Sequence, residues 1–445
     1  MNKDQNAFWQ KNRLVIKAAF IGILTLLLLI PTAFIAMLIN DRQSRHDKAI
    51  GEVSGKWAAP QTLSGPILVI PYKSWYRDDK GNRVAETKQA YFLPDSLRVN
   101  GVIQPEKRYR GIYEVMLYRS NLRVEGRFSA LKPSMLKIPA GDWLGDQAYL
   151  MMGMDDMRGI ENQVALTWNG STRYFSPGLP ENAVLTQGIY SPLPLDPSSL
   201  ENGTFDFSIQ LRLKGSGELE VVPLGKSTRV DLRSSWPTPS FTGSFLPDSR
   251  QVTAHGFRAE WTIFNLNRNL PQRWTDGHYD LKASRFGVSL MLPVDMYQKT
   301  MRCVKYAILI IALTFMVFFL VETSRNNPVH PFQYVLVGFA LCIFYTLLLS
   351  LSEYLHFGWA YWIAAAATTG LVSLYSSWLF RRGKAPWLIG TALLVLYGFI
   401  FTLAQLQDFS LLIGSVGLFI ALALVMYFSR RINWHDDPAS LSGQA

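Results

Sequence analysis

Between Lys305 and Glu353 the chain reads KYAILIIALTFMVFFLVE, then a short polar link, then HPFQYVLVGFALCIFYTLLLSLSE. A hydrocarbon core of roughly 30 Å needs about 20 apolar residues at helical rise. Both runs reach that length once Cys303 and Val304 extend the first, and the link holds Arg325, Pro328, His330 and Pro331. The pair returns a long polar segment to a membrane, and the rest of the chain must be arranged around it.

Residues 1–17 are polar and carry Lys3, Lys11, Arg13 and Lys17; Ala18–Ile39 then runs apolar for 22 residues. That run is too long for a cleaved secretory signal and no A-x-A site follows it, so it reads as an uncleaved signal anchor. Pro31 is expected to kink it. Trp359–Phe380, Trp387–Leu406 and Leu411–Phe428 are three further spans, which makes six: one at 18–39 and a five-helix bundle over 303–428, with a tail at 429–445. If the N-terminus is cytoplasmic, Arg325, then Arg381, Arg382 and Lys384, then Arg430 and Arg431 all fall on the cytoplasmic side. This is the positive-inside pattern. It places both termini in the cytoplasm and the middle segment outside, a topology that suits a one-membrane or a two-membrane bacterial envelope. Trp9, Trp359, Trp362, Trp378, Trp387 and Trp434 sit near span ends, as an interfacial belt places them.

The net charge is +11. Between Asp41 and Lys305 there are 34 basic and 27 acidic residues, spread without a basic run. Nucleic-acid binding wants basic residues clustered on one face, so no nucleic-acid partner is expected; anionic lipid headgroups are. The only two cysteines, Cys303 and Cys342, lie outside the middle segment. One is at the mouth of a span and the other roughly 15 Å into the next. Bridged cysteines need Cα atoms within about 7 Å, so no disulfide is expected.

The middle segment, residues 41–300, reads as all β. SGPILVIPY (Ser64–Tyr72) is an apolar strand expected to stop at its proline. Val164–Phe175 is a hairpin turning at Asn169-Gly170, a pair that accepts the positive φ of a two-residue turn. In TFDFSIQLRL, Phe205, Phe207, Ile209, Leu211 and Leu213 share one face, the mark of a half-buried strand. Short strands with Gly, Pro and Asn punctuation argue for sandwich or barrel layers. Two matches at nearly one offset hint at an internal duplication: Ser64–Pro71 resembles Ser216–Pro223, and FLPDS at 92–96 recurs at 245–249. The fold class is therefore a membrane α-helical bundle plus an all-β periplasmic domain, whose sandwich layers read as two related halves.

Catalytic and cofactor signatures are absent from the sequence: no H-E-x-x-H, C-x-x-C, nucleophile elbow or phosphate loop. No cofactor and no metal is expected. Asp155-Asp156 beside Arg158-Gly159 is the densest charged cluster of the middle segment and reads as a turn; His255 and His278 stand in loop-like surroundings. Ionisable residues in spans are functional candidates. Glu322, Glu353, His356 and Asp408 lie at span ends, where water is expected to reach them, and no span carries a charge near its centre. The candidates for coupling or interaction are Glu353 and His356 at the outer turn, Asp295 and Lys305 in the segment leaving the β domain, and Glu322 and His330 around the inner link.

KYAILIIALTFMVFFLVE, HPFQYVLVGFALCIFY and LSLSEYLHF resemble the CreD family of bacterial inner-membrane proteins, as do SGPILVIP, MRGI, GELEVVP, SSWPTPSFTGSFLP and GFRAEW, in order along nearly the whole chain. The resemblance implies a Gram-negative inner-membrane protein associated with cell-envelope integrity and stress response. It also implies expression under the CreB–CreC two-component system and a link to colicin E2 tolerance and β-lactam response. It brings no catalytic residues. The expected function is non-enzymatic support of the envelope, with membrane lipids and envelope proteins or cell-wall components as partners and no specified oligomeric state. The alternatives are a lipid or small-solute transporter whose β domain acts as a chaperone, and a hydrolase of envelope material.

Overall fold

The computed structural model describes residues 13–129, 131, 136–180, 184–196, 203–275, 279–290, 295–325, 328–380, 384–406 and 410–430. His278, Asp408, Arg381, Arg382 and the tail beyond Arg430 lie outside them, as does the side chain of Asp295. The chain forms two units, one helical, from residues up to 46 and from 293 onward, and one β, from 47 to 292.

The helical unit begins with α1 (Arg13–Leu27) and α2 (Leu29–Trp57), interrupted at Leu28. Pro31 explains the break: its ring removes a donor and clashes with the carbonyl four residues back, that of Leu27. Helix α2 does not stop near Ile39. It continues to Trp57: the polar stretch after Asn40 includes the helix formers Arg42, Gln43, Arg45, Lys48 and Ala49, carries an Asp41–Arg45 ion pair at 2.9 Å one turn apart, and meets no proline until Pro60. Then come α3 (Asp295–Lys305), α4 (Ala307–Arg325), α5 (Pro331–Ser352), α6 (Phe357–Leu379), α7 (Ala385–Gln405) and α8 (Ser410–Ser429). Among the described residues, the N-terminal helix and α4 to α7 are long and apolar enough to cross a membrane; α8 adds a shorter apolar stretch, Leu412–Tyr427. Their shared core centres on aromatic rings: Phe344 lies 4.5 Å from Tyr397 and 5.4 Å from Tyr361, centroid to centroid. Cys303 and Cys342 are buried free thiols.

The β unit holds β1 (Gln61–Arg77), β2 (Arg83–Phe92), β3 (Ser96–Arg110), β4 (Tyr113–Phe128), β5 (Tyr149–Gly153), β6 (Ala165–Trp168), β7 (Ser171–Tyr174), β8 (Ser176–Pro177), β9 (Gly188–Pro192), β10 (Phe205–Ser216), β11 (Glu218–Val221), β12 (Ser227–Ser234), β13 (Ser240–Gly243), β14 (Ser249–Thr253), β15 (Gly256–Phe264), β16 (Arg273–Trp274) and β17 (Phe286–Ser289). They make two sheets. One runs β13-β17-β11-β1-β5-β9-β8, with β2 on β1 and β16 on β2; the other runs β14-β15-β12-β3-β4-β10-β6-β7. Leu68 and Met151 of the first sheet and Val99, Leu211 and Trp261 of the second join one hydrophobic core. Each sheet contains one parallel pair among the described strands, β1 with β11 and β3 with β12, and both pairs join the first half of the unit to the second.

Local sequence explains much of this. Asn169 and Gly170 take φ of 44° and 80° between β6 and β7, the left-handed pair that a tight hairpin requires. The five alternating residues of β10 are all buried. Pro71, by contrast, does not end β1, which runs on to Arg77 against β2. Pairing with β5 stops at Val69. Beyond Val69 that side carries only an isolated Tyr72–Trp143 bridge, in which the Pro71 carbonyl accepts from the Leu144 N–H at 2.9 Å, so no ladder bond there needs a donor from Pro71.

The two FLPDS segments build the same corner, each carrying the chain from a strand of the first sheet into a hairpin of the second. Asp95 donates its N–H to the Arg127 carbonyl at 2.8 Å, and its carboxylate accepts from the Ser129 N–H at 2.7 Å. Asp248 repeats this with Glu260 at 2.9 Å and Thr262 at 2.6 Å. Under the first corner lies a buried cation. The Arg268 guanidinium donates to the carbonyls of Leu270 (2.9 Å), Leu224 (2.8 Å) and Gly225 (3.3 Å), and burial pushes its pKa down to about 10.

Candidate functional site

Glu322 sits one turn before the end of α4 and is 7% exposed, buried rather than open to water. Three groups converge on it. The Lys17 ammonium of α1 pairs with Oε1. The Val329 N–H donates to the same oxygen at 2.9 Å, and the Tyr334 hydroxyl of α5 donates to Oε2 at 2.8 Å. Lys17 also donates to the Val329 carbonyl at 2.7 Å and lies 5.7 Å from the centre of the Tyr334 ring. Phe315 packs edge-on against that ring at 5.6 Å. A buried charge survives only when paired and hydrogen-bonded. Here a carboxylate from α4 and a cation from α1 meet that condition together, with α5 supplying the third contact.

His330 neighbours this cluster in sequence but is exposed and serves as the N-cap of α5. Its Nδ1 accepts from the Phe332 N–H at 3.2 Å, and its own N–H donates to Gln333 Oε1 at 2.9 Å. With Pro331 at the first helical position this is a capping box.

At the other end of α5, Glu353 faces Arg42 of α2 at 3.7 Å. The pair is unequal: the Glu353 side chain is 7% exposed and that of Arg42 is 41% exposed. Among the described residues, Glu353 Oε1 is buried without a hydrogen bond. His356 caps α6 through Nδ1, which accepts from the Gly358 N–H at 3.3 Å. Helix α3 reaches this turn through Lys299, whose ammonium lies 5.8 Å from the Phe357 ring. Lys305, at the end of α3, is exposed.

Of the six sequence candidates, Glu322 with His330 nearby lies towards one end of α5 and Glu353 with His356 at the other; Lys305 is exposed, and the side chain of Asp295 lies outside the described residues. Sequence reasoning missed Lys17, Tyr334 and Arg42. Lys17 was legible as a charge just before an apolar run, but its partner stands 305 residues away.

In the β unit, Asp156 is 7% exposed and gathers the Ala59 N–H (2.9 Å), the Arg158 N–H (3.0 Å) and the Arg158 guanidinium (2.8 Å). The Arg158 side chain beside it holds the Asp156 carboxyl below its ordinary range. Arg158 also reaches the Gly55 carbonyl, so this node ties the end of α2 to the start of β1. Asp155 pairs with Lys282 at the wall of a cavity of about 430 Å³. Among the described residues, no cluster of three or more metal-ligating side chains occurs.

The family model described as CreD, inner membrane protein CreD, matches residues 13–435. Inner membrane protein CreD of Escherichia coli (strain K12) is 35% identical to this chain over 417 residues, which cover 92% of this chain and 91% of that relative.

Proposed function

The chain belongs to the CreD family of inner membrane proteins, and from that premise we propose that it supports cell-envelope integrity under stress as a non-enzymatic tethered scaffold. In this reading the termini are cytoplasmic and the β unit is periplasmic, where it meets lipids, envelope proteins or cell-wall components. Its two halves are related by duplication, which the matching FLPDS corners support.

The observation that carries the proposal is how the chain is threaded. The β unit, residues 47–292, is inserted between two parts of one helical unit, and α1, which precedes the α2 helix leading into it, is ion-paired to α4 through Lys17 and Glu322. An element fixed at both chain ends is suited to bearing load and poorly suited to diffusing to a substrate. The test is to delete the chromosomal copy, restore wild type, Lys17→Met or the β-deleted chain, and measure dye entry under detergent or β-lactam stress. Wild type alone should restore the barrier. Equal dye entry in all four strains would refute the proposal.

One observation favours the transport reading as second choice. Among the described residues, the hydroxyls of Thr314, Tyr345 and Thr369 are buried in the helical core without hydrogen-bond partners. Orphaned polar groups in an apolar interior are costly, and a passing polar solute or lipid headgroup would satisfy them. Uptake of a labelled solute or lipid into reconstituted vesicles separates the two readings.

A further inference from the structure

On the outward face of the eight-stranded sheet, the parallel register of β12 and β3 sets Arg229 beside Arg98 and Ser227 beside Ser96. Like charges directly opposite on neighbouring strands destabilise a sheet, so an acid is expected to neutralise the two arginines. The acids are at hand but already engaged. Glu125, opposite Arg98 on β4, pairs with Arg123. Asp206 accepts from two nitrogens of Arg127, Nε at 2.6 Å and Nη2 at 3.1 Å. Among the described residues, Arg98 and Arg229 make no ion pair or side-chain hydrogen bond, and both are exposed.

These groups line one concavity of about 360 Å³. It therefore holds two guanidinium forks without an ion pair among the described residues and two serine residues, with the engaged carboxylates of Glu125 and Asp206 in the same lining. Guanidinium forks bind phosphate oxygens in pairs, through charge-assisted hydrogen bonds. A carboxylate offers two oxygens to these four donors; a phosphoryl group offers three or more, arranged tetrahedrally. Phe264, 53% exposed, lies beside Ser227 across the β12–β15 pair and gives the site an apolar flank.

We propose that Arg98, Arg229, Ser96 and Ser227 form a binding site for the phosphoryl group of a phosphate ester, with Phe264 against the esterified alcohol. Lipid headgroups and soluble phosphate esters share this chemistry.

The test uses the full chain in a maltoside detergent, which carries no phosphate. Glycerol 3-phosphate and dihexanoyl phosphatidylglycerol, the latter below its micelle concentration, are titrated calorimetrically against glycerol and salt of matched ionic strength. At least one phosphate ester should bind saturably, with Kd raised at least tenfold in Arg98→Gln/Arg229→Gln and by an intermediate factor in each single variant. Tighter binding of the short-chain lipid identifies a headgroup site; tighter or exclusive binding of glycerol 3-phosphate identifies a soluble ester. Without ligand, the double variant should melt no lower than wild type, because repulsion is relieved. Binding no better than the salt blank, or unchanged in a folded double or single variant, overturns the proposal.

Discussion

The Lys17 ammonium on α1 and the Tyr334 hydroxyl on α5 hold opposite oxygens of one carboxylate, that of Glu322 on α4. Three helices thus depend on a single buried anion.

Removing one partner of a buried pair leaves the other uncompensated, which costs about 3–5 kcal/mol. Lys17→Met should lower the thermal midpoint of the detergent-solubilised chain sharply. Lys17→Met/Glu322→Leu should recover part of that loss, because both charges are gone. A double variant whose loss equals the two single losses added together would show that the pair is not coupled.

The Arg42–Glu353 pair should matter less. Arg42 is 41% exposed and the separation is 3.7 Å, the regime in which ion pairs contribute roughly 0.2–1 kcal/mol. Arg42→Ala is expected to shift the midpoint by a small fraction of the Lys17→Met shift. Limited proteolysis at the α2–β1 junction should be unchanged in rate. Faster cleavage would mean that Arg42 restrains the α2–β1 junction.

Asp156 gives the β unit an acid limit. Its carboxyl pKa is lowered in the folded state by Arg158. The stabilisation is therefore present above the ordinary carboxylate value, about 4, and is lost as pH falls through the lower folded value. Asp156→Asn should cost roughly 1–3 kcal/mol at pH 7 and should flatten the acid limb of stability against pH. Parallel acid limbs in variant and wild type would assign that limb to other carboxyls.

Arg268→Met should destabilise the first FLPDS corner, since three carbonyls lose their donor at about 1 kcal/mol or more each. Hydrogen exchange should rise at Leu93 and Lys226, whose N–H groups bond around that corner to Gln272 and Pro94. Protection unchanged at both amides would show that the corner stands without the arginine.

What was legible in the sequence was local. The turn at Asn169-Gly170 and the alternation through β10 follow from a few adjacent residues, and so do the apolar helices. The length of β1 was not legible, because whether Pro71 interrupts a strand depends on which side has a neighbour, and β5 is about 80 residues away in sequence. The role of Glu322 was hidden for the same reason: its position near a helix end suggested water, while its burial is set by α1 and α5. His330 and His356 drew attention as titratable groups, and their imidazoles are occupied in capping helices.

The inserted β unit has a consequence for synthesis. Lys17 leaves the ribosome 305 residues before Glu322. At about 5–20 residues per second the interval is roughly 15–60 s. Through that time the first helix carries an unmatched charge, and the whole β unit emerges, long enough for a two-sheet core to fold. Bundle assembly is therefore a late step, and a strain slow to complete it would accumulate chains with a finished β unit and an unclosed membrane part, the natural prey of membrane proteases.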